Sequence, residues 1–121
     1  MRVLIADGNK KRASQIYKHS ACSDGKEIKK AGSVRKVIAY LKKTSCDVAF
    51  VGVDIPKFDW VSIVTNVREK SPDCNIIFVT DRGEVDQSCV KYRISGYLSQ
   101  PITPEKINEE LENLRYPFQK G

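Results

Sequence analysis

The chain has 121 residues, 40% of them hydrophobic and 30% charged, with a formal net charge of +6. That is enough for one domain with its own core. With no apolar run near the roughly 20 residues of a membrane span and no secretory pattern at the N-terminus, no membrane contact and a cytoplasmic location are expected. Cys22, Cys46, Cys74 and Cys89 form no C-x-x-C pair, and a single histidine, His19, accompanies them. This argues against a zinc site and for free thiols. Cys46 and Cys74 each precede a predicted strand, so neighbouring strands would bring both thiols to one sheet edge.

Val3–Ala6 is a short continuous apolar run, as expected of a strand covered on both faces. Asn9 can cap a helix running to about Cys22, with Ala13, Ile16 and Tyr17 on its inner face. Ser23-Asp24-Gly25 is a turn cluster. Glu27–Ala31 reads as a weak strand whose lysines suit a sheet edge. Ser33 caps a second helix, in which Val34, Val37, Ile38 and Leu41 recur at helical spacing. Val48–Val53 is the next buried strand. Asp59 can cap a helix carrying Val61, Ile63, Val64 and Val67, which ends before Ser71-Pro72. Asn75–Thr80 is a β-branched strand. Arg82–Ile94 suggests a less apolar helix stopping at Ser95-Gly96. Tyr97–Ser99 is a short strand. Thr103-Pro104 opens the last helix with proline at its first position, and Ile107, Leu111 and Leu114 form its stripe.

Strands alternating with helices imply a parallel sheet covered on both faces. The expected fold is α/β, a flavodoxin-like (βα)5 three-layer sandwich with strand order 2-1-3-4-5. Any site then lies at the carboxyl ends of strands one and three, where Asp7, Gly52, Thr80 and Gln100 fall. Charge is uneven along the chain. Residues 1–60 hold 13 Lys/Arg and 6 Asp/Glu, whereas residues 61–121 hold 8 and 9. A basic first half suits an acidic partner or nucleic acid, or is simply a solvated lysine face.

Val3-Leu4-Ile5-Ala6-Asp7, Asp47-Val48-Ala49-Phe50-Val51-Gly52-Val53-Asp54-Ile55-Pro56, Phe78-Val79-Thr80 and Tyr97-Leu98-Ser99-Gln100-Pro101 together resemble the receiver domains of two-component response regulators. The resemblance covers residues 2 to about 115, so the expected domain is 1–115, with 116–121 a tail or the start of a linker. It implies a phospho-acceptor aspartate at the position of Gly52, a second acidic magnesium ligand at Gly8 beside Asp7, and a lysine at Gln100. Hard magnesium needs clustered oxygen ligands, and glutamine supplies no charge. A vestigial phosphorylation pocket is therefore expected, made of Asp7, Gly8, Gly52, Asp54, Thr80 and Gln100. No cofactor is expected, and magnesium binding should be weak or absent. Loss of carboxylates and loss of their counter-charge are mutually consistent.

Asp54 reads as a turn residue pointing away from Asp7, with a replacement acceptor as the alternative. Trp60 either covers the vacated pocket or lies on the surface with its N–H in water. The resemblance gives Thr80 and Tyr97 switch-like positions, against the plainer reading of a capping hydroxyl and a half-buried ring. It also implies a cis bond at Gln100-Pro101 and an output face built from Arg82–Ile94, Tyr97–Ser99 and Thr103–Leu114, which could form a homodimer. Glu110–Pro117 looks like the junction to a winged-helix DNA-binding effector. The function expected is a phosphorylation-independent, non-enzymatic receiver. It would act through protein partners, one of them acidic, within signalling or transcription regulation. The alternative is a flavodoxin-like small-ligand or nucleic-acid-binding domain that uses the basic half. No P-loop or G-x-G-x-x-G supports a nucleotide site.

Overall fold

The computed structural model describes residues 1–20, 25–81 and 91–117. Most of the expected Arg82–Ile94 helix, most of the Ser23–Gly25 turn, and Cys22 and Cys89 lie outside the described residues. The elements are β1 (Arg2–Ala6), α1 (Lys10–Ser20), β2 (Glu27–Ala31), α2 (Val34–Lys43), β3 (Val48–Gly52), α3 (Trp60–Lys70), β4 (Asn75–Thr80), β5 (Gly96–Ser99) and α4 (Pro104–Glu112). All strand pairs are parallel, and the sheet runs β2-β1-β3-β4-β5. This is the flavodoxin-like order expected from the alternating elements.

The three central strands are buried on both faces because apolar side chains fill nearly every position between their ends. Val3 and Ile5 of β1, Phe50 of β3 and Ile77 and Val79 of β4 meet Ala13 and Ile16 of α1 and Ile107 of α4. Leu4 and Ala6, Ala49 and Val51, and Ile76 and Phe78 meet Val37 and Leu41 of α2 and Ile63, Val64 and Val67 of α3. Each fully buried aliphatic or phenyl side chain contributes about 1.5–3 kcal/mol. Ser33, Asp59 and Thr103 cap their helices by accepting from the N–H groups of Lys36, Ser62 and Lys106.

Two apolar residues depart from the expected stripes. Tyr17 is 40% exposed and Val61 41% exposed. The Tyr17 ring lies at the margin of α1, with the Lys30 ammonium 5.0 Å from its centroid. β3 ends at Gly52, one residue before the expected Val53. The Gln100-Pro101 bond is cis. At the opposite sheet edge, the buried Cys46 and Cys74 sulfurs are 3.5 Å apart. The hydrogen bond between them, together with burial, pushes the Cys74 thiol well above its ordinary value.

Candidate functional site

The register fixes which residues share the carboxyl edge of the sheet. Ala6 pairs with Val51, Gly52 with Val79 and Thr80 with Ser99. Asp7, Gly52, Thr80 and Gln100 therefore emerge side by side from β1, β3, β4 and β5. Asp7 is almost fully buried, and its N–H donates to Ala31 O at 3.2 Å.

The centre of this edge is held by a residue that the sequence analysis did not single out. Arg12, in the first turn of α1, has no solvent exposure. Its Nε donates to Asp7 Oδ2 at 2.6 Å and its Nη2 to Asp7 Oδ1 at 2.9 Å. This is the two-pronged arrangement that gives guanidinium–carboxylate pairs their strength. Nη1 reaches Asp54 Oδ2 and Asp81 Oδ1, each at 3.1 Å, and Nη2 lies 2.8 Å from Asp54 Oδ1. One guanidinium thus gathers three carboxylates from the ends of three strands.

Glycine at position 52 is what makes room for it. A Cβ there would stand 2.5 Å from Asp7 Oδ1 and 2.8 Å from Arg12 Nη2. The cation occupies the space that a side chain on residue 52 would need. Gly8 is covered differently, since a Cβ would meet Ile55 Cγ2 and Phe58 Cδ1 at 3.2 Å each.

Asp54 corrects the expectation of a turn residue directed away from the pocket. Besides Arg12, it accepts from the Asp81 N–H at 2.7 Å and the Thr80 hydroxyl at 3.2 Å. Burial would raise the Asp54 carboxyl, but the Arg12 hydrogen bond, the Asp81 N–H and the Arg12 charge outweigh it and hold it below its usual value. For Arg12, burial works against the charge, yet the bonds to Asp7 and Asp54 prevail and hold its pKa above the ordinary value. The pocket has therefore not lost its carboxylates and their counter-charge together. Carboxylates remain, and the cation enters from α1.

Gln100 is turned to other partners. Its Nε2 donates to Gln15 Oε1 at 3.3 Å, and its Oε1 accepts from Ile102 N–H at 3.1 Å. Trp60 neither covers the pocket nor lies free on the surface. Its ring meets Phe78 and Tyr92 edge-on at 5.3 and 5.4 Å, against the core on the α2–α3 face. Tyr97 is 51% exposed, on the outer surface of β5. Arg12 and Asp81 are the pocket residues missed by sequence reasoning. The signal for Arg12 is its place four residues before the buried Ile16, which puts both on one helical face.

The profile of the response regulator receiver domain family matches residues 3–112. The chain belongs to the response regulator receiver family. Solved structures share its fold. The chemotaxis response regulator CheY4 of Vibrio cholerae superposes with a TM-score of 0.78 at 22% identity, covering 92% of this chain and 95% of that one. The CheY-like receiver protein of Methanospirillum hungatei gives 0.71 at 17% identity, covering 92% and 96%. Among curated proteins, the cyclic di-GMP phosphodiesterase of Thermotoga maritima is 30% identical over 73 residues, 55% of this chain. The match spans 20% of that relative's length. This receiver is accordingly a two-component signalling domain, and no helix among the described residues is long and apolar enough to cross a membrane.

Proposed function

We propose that this receiver signals without aspartyl phosphorylation, as a protein-interaction module whose pocket is closed by Arg12. The observation that carries the reading is the guanidinium packed against Gly52, where the acceptor side chain of other receivers projects. Gly52 offers no nucleophile. Asp54 Oδ2 accepts from Arg12, Thr80 and Asp81, and Oδ1 lies in ion-pair contact with Arg12, which leaves it a poor replacement acceptor.

The residues present do not fit a magnesium site. Both Asp7 oxygens are engaged by Arg12, Gly8 and Gly52 supply no ligand, and a divalent ion would have to sit beside a buried positive charge. Arg12 takes over the charge-neutralising part of that role permanently, so the domain rests in one state set by its sequence. Regulation then acts through association with partner proteins, or through an effector domain joined in the same polypeptide, a DNA-binding one being the kind suggested by Glu110–Pro117.

The test is incubation with phosphoramidate and magnesium, followed by intact-mass spectrometry. The chain is expected to keep its mass. A hydroxylamine-labile phosphoryl adduct would overturn the reading, and its loss in Asp54→Asn would identify Asp54 as the acceptor.

A further inference from the structure

β2 is an edge strand, paired on one side to β1 and to no other strand of the described sheet. Between it and α2 runs an open trough. One part, of about 560 Å³, is lined by Lys29, Lys36, Tyr40 and Lys43 among others. A second part, of about 420 Å³, shares Lys29, Tyr40 and Lys43 and continues along the strand to Arg2 and Glu27. Lys36, Tyr40 and Lys43 recur on one face of α2, and the helix sequence Val34–Lys43 contains no acidic residue. Among the described residues, Lys29, Lys36 and Lys43 have no carboxylate within ion-pair distance. The Arg2 side chain is paired, among the described residues, with Glu27 alone, at 3.3 Å, and both side chains are exposed.

Each lysine has an ordinary explanation alone. Lys43 complements the carboxyl end of α2, and lysines on β2 protect a free strand edge. Neither accounts for cations converging from two elements on a half-buried tyrosine in a continuous trough. We infer that this trough binds an extended acidic segment of a partner protein, laid along the free edge of β2.

The dimensions suit such an occupant. Lys36 and Lys43 are seven residues apart on the helix, about 10 Å at 1.5 Å per residue. An extended strand rises about 3.3 Å per residue and shows alternate side chains on one face. Carboxylates at every second position then span the lysines, while strand addition supplies main-chain hydrogen bonds. Nucleic acid is the less favoured occupant, because Tyr40, half-buried, is the one aromatic among the described lining residues, whereas single strands bind by stacking successive bases on several rings. The inference deepens the protein-interaction reading but does not use the Arg12 pocket, so either can fail without the other.

The probe is a fluorescein-labelled peptide alternating Asp and Val over ten residues, with an Asn-Val peptide and an oligo-dT as comparators, followed by anisotropy. Saturable binding is expected, lost toward 1 M salt, where the screening length falls to about 3 Å. Lys36→Glu with Lys43→Glu should weaken it by about tenfold or more while the far-UV circular dichroism is unchanged. Lys57→Glu with Lys70→Glu, on other surfaces, should not. Absence of binding, equal losses in both double variants, equal binding of the Asn-Val peptide, or tighter binding of the oligo-dT would each overturn the assignment.

Discussion

A buried guanidinium is costly to desolvate, and only several well-placed acceptors can offset that cost. Arg12 has them in Asp7, Asp54 and Asp81, so its burial depends on the cluster and the cluster on it. Arg12→Ala should lower unfolding stability by about 3–5 kcal/mol, because it leaves the buried Asp7 carboxyl without its partner. Arg12→Met with Asp7→Asn removes both charges and should be clearly less destabilising than Arg12→Ala. Urea unfolding of the two variants decides this: equal losses would mean that an unpartnered Asp7 is not what makes Arg12→Ala costly. The acidic half of this arrangement was partly legible from Asp7 and Asp54. Arg12 was not, because arginine is seldom fully buried and the Lys10-Lys11-Arg12 run reads as a solvated charge cluster. Only its register with Ile16 distinguishes it from its neighbours.

At the scale of elements, the strands were legible because an uninterrupted apolar run has few other uses in a short segment, and the caps because Ser33, Asp59 and Thr103 each begin an apolar periodicity. The margins of the helical stripes were not. Tyr17 and Val61 satisfy the helical period, yet they lie where the helix surface turns away from the sheet. Side-chain bridges between elements also leave no local pattern. Asn75 Nδ2 donates to Asp47 O at 3.2 Å and to Tyr116 O at 2.6 Å, while its Oδ1 accepts from Ser95 Oγ at 2.8 Å and Tyr116 N–H at 2.7 Å. One amide thereby joins the start of β4 to the segments before β5 and after α4. Asn75→Ala would leave several main-chain groups without this partner and should cost about 2–4 kcal/mol, at roughly 1 kcal/mol for each net hydrogen bond. Hydrogen exchange should then accelerate first at Tyr116. If that amide is as protected as in the parent chain, the bridge is not what holds the segment.

At the scale of the whole molecule, the two main charged features of the described residues lie at separate places. Carboxylates gather around Arg12 at the carboxyl edge of the sheet, while lysines line the trough beside β2. Arg12 remains charged at any accessible pH, so acid acts on this cluster through the Asp54 carboxyl. Asp54 is held below its usual value, so its contribution is fully present above about pH 4 and disappears as pH falls through its lower, folded-state pKa. Glu110 runs the other way. Burial and the Glu109 charge raise its carboxyl, so its ionisation opposes folding and acidification relieves that opposition. Asp54→Asn should therefore be less stable than the parent by about 1–2 kcal/mol near neutral pH, with the gap closing as pH falls through the lowered Asp54 pKa. Glu110→Gln should be the more stable of its pair at neutral pH and converge on the parent as Glu110 protonates. Urea midpoints measured across the acid range distinguish these cases. A gap for Asp54→Asn that persists unchanged to the lowest pH would show that its charge is not what binds the cluster.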